Sequence, residues 1–132
     1  GNSRKAGGFI NGCLNYGYAI LLSAFNREIV LSGYLTQLGI WHNNEFNEFN
    51  LACDLMEPFR VVVDRTALSL EEGDKDFKKN MANILNYKTL IDGKHTTLDL
   101  AIRQFTRSVF HALEEQDEGL LVFPEKITQD EL

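Results

Sequence analysis

Phe46-Asn47-Glu48-Phe49-Asn50-Leu51-Ala52-Cys53-Asp54-Leu55-Met56-Glu57-Pro58-Phe59-Arg60 is the stretch around which the chain is organised, and it runs on to Arg65. Leu51, Leu55, Phe59 and Val62 recur at intervals of three and four. That period predicts a helix from Asn47 or Asn50, either a good N-cap, to about Ala67. Pro58 falls inside it, removes one backbone hydrogen bond and frees the carbonyl of Asp54, so a kink is expected there. Asp54 and Glu57 stand at i and i+3, about one turn apart on one face, where the apolar stripe meets solvent. His42 lies just upstream in a polar, Asn-rich loop, His42-Asn43-Asn44-Glu45-Phe46-Asn47. Two carboxylates and an imidazole, with positions left open for water and phosphate, suit a divalent magnesium or manganese ion and phosphodiester chemistry. By spacing alone, a solvated helix face with a loop histidine fits better, because Asp-x-x-Glu is common on helices.

Outward from this stretch the pattern stays helical. Leu14, Tyr18, Leu21, Leu22, Phe25 and Ile29 form a stripe, widened by Tyr16, Ala19, Ile20 and Ala24. They predict a helix from about Phe9 to Ser32, capped by Asn11, ended by Gly33 and central in its domain. Gly17 inside it costs about 1 kcal/mol against alanine, which close approach of another backbone would offset. Tyr34 to Trp41 is a short apolar segment. Downstream, Asp74 to Asn86 is amphipathic through Phe77, Met81, Ile84 and Leu85. Tyr87 to Ile91, then Asp92-Gly93, then Lys94 to Leu98 is a hairpin signal. Thr96 or Thr97 then caps a helix to about Glu115, with a stripe of Leu98, Ala101, Ile102, Phe105, Val109, Ala112 and Leu113. Leu120 to Pro124 reads as extended. The expected class is mostly α: a multi-helix domain with at most one small β-hairpin. The expected organisation is a lead-in over 1–8, a helical domain over 9–115 and an acidic tail over 116–132.

With 132 residues, 44% hydrophobic and 24% charged, the chain is long enough for one domain with its own core. No apolar run approaches the roughly 18 residues needed to cross a bilayer. The start Gly1-Asn2-Ser3-Arg4-Lys5 lacks the apolar core of a signal peptide, so the expected compartment is the cytoplasm. Cys13 and Cys53 are far apart, both in apolar surroundings, and read as core thiols rather than a disulfide framework. The net charge of −6 argues against nucleic-acid binding by bulk charge, without excluding a local basic strip or binding aided by a metal ion. Glu114, Glu115, Asp117, Glu118, Glu125, Asp130 and Glu131 carry most of the acidic excess.

Other chemistry finds little support. No serine sits in a Gly-x-Ser-x-Gly setting, Gly7-Gly8 lacks the Lys-Ser/Thr partner of a phosphate loop, and no Cys/His spacing makes a zinc site. His95 after the Asp-Gly turn and His111 in the last helix read as surface or core-edge residues. Lys75, Lys78 and Lys79 read as a solvated face. Arg60 could hold a phosphate bidentately, or pair with Glu57 or Asp64 on its own helix.

Three blocks taken together carry a resemblance: Ile10-Asn11-x-x-Leu14-Asn15-Tyr16-Gly17-Tyr18, then Gln37-Leu38-Gly39-Ile40-x-His42, then Phe46 to Arg60 as quoted above. Their order and spacing resemble the C-terminal helical domain of the CRISPR-associated spacer integrase, or Cas-one, family, in the form found in type II systems. The resemblance is dense from about Phe9 to Arg65 and thinner through Leu113. It implies a metal-dependent DNA endonuclease and integrase of antiviral defence, in which 3′-hydroxyl ends of incoming prespacer DNA attack the CRISPR repeat. It implies His42 and Glu57 as ligands of Mn2+ or Mg2+, with Asp54 at a second acidic position that assists catalysis; Arg60, close after Glu57, is then expected near the DNA phosphate. It also implies homodimers that assemble with a small partner protein, Cas-two. Gly8 and Phe9 replace the acidic residue that the family usually has before the Ile-Asn pair. The family's remaining ligand, a glutamate, lies upstream of the first block, where residues 1–9 hold no Asp or Glu. The chain by itself is therefore expected to be an inactive part of that centre. The alternative reading, from a different class, is a helical protein-interaction domain without catalytic activity.

Overall fold

A computed structural model describes residues 2–32 and 48–131; the expectations for Gly33, Tyr34–Trp41 and the loop carrying His42 fall outside them. The chain is mostly helical, with one small antiparallel sheet. Helix α1 (Asn2–Ser32) is its axis, about 46 Å long at 1.5 Å per residue. It starts well before the expected Asn11 cap. Arg4, Lys5 and Ala6 favour helix, and extending an existing helix costs little per residue once it is nucleated. Leu21, Phe25 and Ile29 of the expected stripe are fully buried, with Cys13 and Ala24 beside them.

Helix α2 (Glu48–Met56) and helix α3 (Arg60–Ser69) are joined by a tight 3₁₀ turn, Glu57–Phe59, so the continuous helix expected here is broken at Pro58. Proline cannot donate to the ladder, and the tighter turn absorbs that loss. Phe59 at the end of the turn drives into the core. Its ring lies 5.2 Å from Phe25 of α1 and 5.5 Å from Phe105. Helix α4 (Phe77–Ala82) starts three residues later than the spacing predicted. Asp74 is occupied in a turn, its carboxylate accepting from Asp76 N at 2.8 Å and from Asn80 Nδ2 at 2.9 Å.

Gly17 marks where α1 meets its neighbours. A Cβ there would stand 2.6 Å from Met81 Cε of α4 and 2.6 Å from Val63 Cγ1 of α3. The close approach is of side chains, not of backbone as expected.

The hairpin forms as read: β1 (Tyr87–Ile91) and β2 (Lys94–Thr97), with Leu90 opposite His95, turn through Asp92 and Gly93, both at positive φ. Thr97 then caps helix α5 (Leu98–Glu115), its side chain accepting from Leu100 N at 3.2 Å. Within the expected α5 stripe Leu113 is exposed instead, and Phe110, outside that stripe, is buried. Beyond α5 the acidic end supplies a third strand, β3 (Pro124–Glu131), which pairs antiparallel with the other edge of β1 in the order β2-β1-β3.

The sheet is fastened to α3. Thr66 Oγ1 donates to Val62 O at 2.9 Å, so the 2.8 Å contact with Tyr87 Oη is completed by the tyrosine's proton. Gln129 Nε2 of β3 donates to Ser69 Oγ at 2.9 Å. The helix that follows the carboxylate pair is thus held by α1 on one side and the sheet on the other. Among the described residues no helix is long and apolar enough to cross a membrane.

Candidate metal centre

Asp54, late in α2, and Glu57, the first residue of the Pro58 turn, are both exposed, while Ala52, Leu55, Met56 and Phe59 between and around them are buried. The alternation of three- and four-residue steps that sends the apolar side chains inward leaves these two carboxylates outside. The turn holds them at the junction of α2 and α3, on a segment anchored by Phe59. Glu57 keeps 67% of its side chain exposed and shares one oxygen with Arg60, Nη1 to Oε2 at 3.3 Å. Of the two partners on its own helix open to Arg60, the structure shows Glu57.

Asp64, the other one, is taken by a residue from α1. The Tyr18 hydroxyl donates to Asp64 Oδ1 at 2.5 Å. Its ring lies under Arg60, with the guanidinium carbon 4.6 Å from the ring centroid. The hydrogen bond to the Asp64 carboxylate, followed by burial, pushes the Tyr18 phenol above its ordinary range, so it stays protonated. Tyr18 and Glu57 in turn raise the Arg60 pKa and keep its charge fixed. In the sequence Tyr18 belongs to the α1 stripe and to the first resemblance block, with no role of its own. Its polar tip on an otherwise apolar row is the local signal for a second role.

His42 lies outside the described residues, as does Glu45. Among the described residues no three His, Cys, Asp or Glu side chains gather as a metal site. The donors that are described do fit a hard divalent ion: two exposed carboxylates, one of them only loosely held by an arginine at 3.3 Å.

Elsewhere the chemistry is quieter. Cys13 is buried, and burial, with the Asp74 charge behind it, pushes its thiol up, away from the reactive thiolate. Cys53 is free and half-buried. His95 is exposed on β2. His111 is exposed on α5, at a shallow depression of about 430 Å³ shared with Leu31, Ser32, Arg107 and Ser108. Lys78 lies 5.8 Å from the Tyr16 ring centroid, so that lysine at least rests on an aromatic rather than standing free.

Comparison with known proteins gives the family of the chain. A family model for "CRISPR associated protein Cas1" matches residues 2–98, from the start of α1 to the start of α5. The CRISPR-associated endonuclease Cas1 of Neisseria meningitidis serogroup C (strain 8013) is 32% identical over 130 residues, covering 93% of this chain and 43% of that protein. The CRISPR-associated endonuclease Cas1 1 of Archaeoglobus fulgidus is 42% identical over 71 residues, covering 53% of this chain and 21% of that protein. The enzyme of the same name from Thermus thermophilus is 43% identical over 61 residues, covering 46% of this chain and 19% of that protein. The chain thus spans less than half the length of each of these relatives. With most of its length inside the family match, the chain belongs to the CRISPR-associated Cas1 family.

Proposed function

We propose that this chain is the helical part of the active centre of a metal-dependent DNA endonuclease and integrase that inserts new spacers into a CRISPR array. The observation that carries the reading is the exposed pair Asp54 and Glu57 at the Pro58 turn, with Arg60 beside Glu57, in a Cas1-family chain. In this reading His42 and Glu57 hold Mn2+ or Mg2+, Asp54 assists, and Arg60 binds a DNA phosphate. The metal ion, when bound, lowers the pKa of an attacking hydroxyl or water and offsets charge developing on the scissile phosphate. Glu57 serves as an acceptor-only ligand, and its weak pairing with Arg60 is exchangeable because both groups are solvated. Arg60 contributes a fixed positive charge and a planar set of donors that match phosphate oxygens.

The acidic chain as a whole repels DNA, so binding falls to this local site rather than to bulk charge. A further carboxylate ligand comes from protein outside this chain, which by itself binds metal weakly and cuts little. Prespacer and repeat DNA are the substrates, and a homodimer assembled with the small Cas-two protein is the working form.

The test is manganese-dependent DNA integration by the full-length protein, run beside His42→Ala and Glu57→Ala. The expected result is activity that needs manganese and disappears in both variants. Activity that survives either substitution overturns the ligand assignment. A folded full-length protein that stays inactive with Cas-two supplied favours the interaction-domain reading, to which the exposed Val61 and Leu68 on α3 also lend themselves.

A further inference from the structure

An exposed arginine keeps many rotamers, and freezing them on contact with a ligand costs affinity. Arg60 is 44% exposed by side chain, yet two features restrict it. Glu57 accepts from one terminal nitrogen, and the guanidinium carbon sits over the Tyr18 ring, 4.6 Å from its centroid. A guanidinium carries five N–H donors, so the one given to Glu57 leaves others for oxygen acceptors. The ring is itself pinned. Tyr18 comes from α1, across the packing boundary, and its hydroxyl is tied to Asp64, one turn beyond Arg60 on α3. Donation to a carboxylate also enriches the ring in electron density, which strengthens its hold on a cation. With Asp64 bonded to the phenol, Arg60 leans towards Glu57 rather than onward along α3.

We infer that Tyr18 is a positioning residue: its ring, fixed by Asp64, holds the Arg60 guanidinium beside Glu57, so that a DNA phosphate arriving at the carboxylate pair meets a cation already in place. The inference rests on the reading that this face takes DNA, but its geometric half stands apart from it. In this reading Tyr18 acts through Arg60.

The experiment is a double-mutant cycle on DNA affinity in the full-length protein, using a short duplex with single-stranded 3′ ends. Arg60→Ala is expected to weaken binding about tenfold, as loss of a charged phosphate contact does. Tyr18→Leu is expected to weaken it about two- to fivefold, the range of an exposed cation–π contact, and Tyr18→Phe, which keeps the ring, by less. In the Arg60→Ala background Tyr18→Leu should change nothing, because a positioning residue has nothing left to position. Asp64→Ala, which frees the ring without altering α1, repeats the test for the case in which Tyr18→Leu does not fold. Equal losses from Tyr18→Leu with and without Arg60, or no loss at all, overturn the inference.

A DNA-free readout separates the two readings. NMR signals of the Arg60 δ-methylene should be shifted upfield by the Tyr18 ring in the parent and in Tyr18→Phe, and return to ordinary values in Tyr18→Leu. An unshifted parent signal overturns the positioning role. A shifted signal with Arg60→Ala binding DNA as tightly as the parent overturns the proposed DNA-facing function and leaves the geometry standing.

Discussion

Glu28 and Glu57 are both glutamates held by arginine, and they have opposite fates. Glu28, on α1, is 1% exposed; Arg27 Nε reaches its Oε2 and Arg103 Nε its Oε1, each at 3.1 Å. Arg27 also bridges to Asp99, so the buried charge is tied into α5 twice. Glu57 is mostly solvated, with one arginine at 3.3 Å on its own turn. A buried carboxylate must be fully paired, because leaving it unpaired costs several kcal/mol. An exposed one can give up its partner for a metal ion at little cost. Glu28 is therefore committed to joining α1 to α5, and Glu57 is available.

That contrast orders the expected effects of mutation. Glu28→Ala should destabilise the fold by about 3 kcal/mol, two charge-assisted hydrogen bonds at about 1.5 each, since both arginines left behind still reach water; urea unfolding checks it, and a loss near zero would erase the distinction. Arg103→Met keeps the packing stem and removes one of the two charge-assisted bonds, for about 1.5 kcal/mol by the same measurement. Gly17→Ala tests steric rather than electrostatic commitment of α1. Its methyl must displace Met81 and Val63, about 2 kcal/mol of overpacking against about 1 gained in helix propensity, for a net loss of about 1 kcal/mol. Glu57→Gln should change stability by less than about 0.5 kcal/mol. A larger loss would mean that Glu57, like Glu28, is structural.

The smallest effect appears in alkali. The Tyr18 phenol is raised above 10.0 in the folded chain by the Asp64 hydrogen bond. The folded state therefore favours the protonated phenol more than the unfolded state does. That contribution is complete below about pH 10 and is lost as pH rises through the raised value. Unfolding free energy should fall less steeply above about pH 10 in Tyr18→Phe than in the parent; identical slopes would break the Tyr18–Asp64 link.

What the sequence disclosed follows from which forces leave a periodic mark. Burial does, so the stripes Leu21-Phe25-Ile29 and Leu98-Ile102-Phe105 predicted α1 and α5; Asp92-Gly93 predicted the turn, and Pro58 predicted a kink where the structure has a full 3₁₀ break. Strand β3 was harder to read as a partner of β1. Glu125, Lys126, Gln129 and Asp130 face water, and the pairing is made by backbone groups that all residues share. At the site, the exposure of Asp54 and Glu57 follows from the helical period. The role of Tyr18 does not, because it depends on α1 crossing α3 at a point that no local pattern encodes. The α1 start was misplaced at Asn11, since a cap residue inside a strong helix loses to continued propagation.

The most direct measurement is the affinity of the full-length protein for Mn2+, followed by electron paramagnetic resonance, in the parent and in Glu57→Gln, with the unfolding midpoint recorded alongside. If Glu57 is a ligand, affinity should fall about tenfold or more while the midpoint stays where it was. Unchanged Mn2+ affinity in a folded Glu57→Gln protein would contradict the assignment of this face as the metal centre.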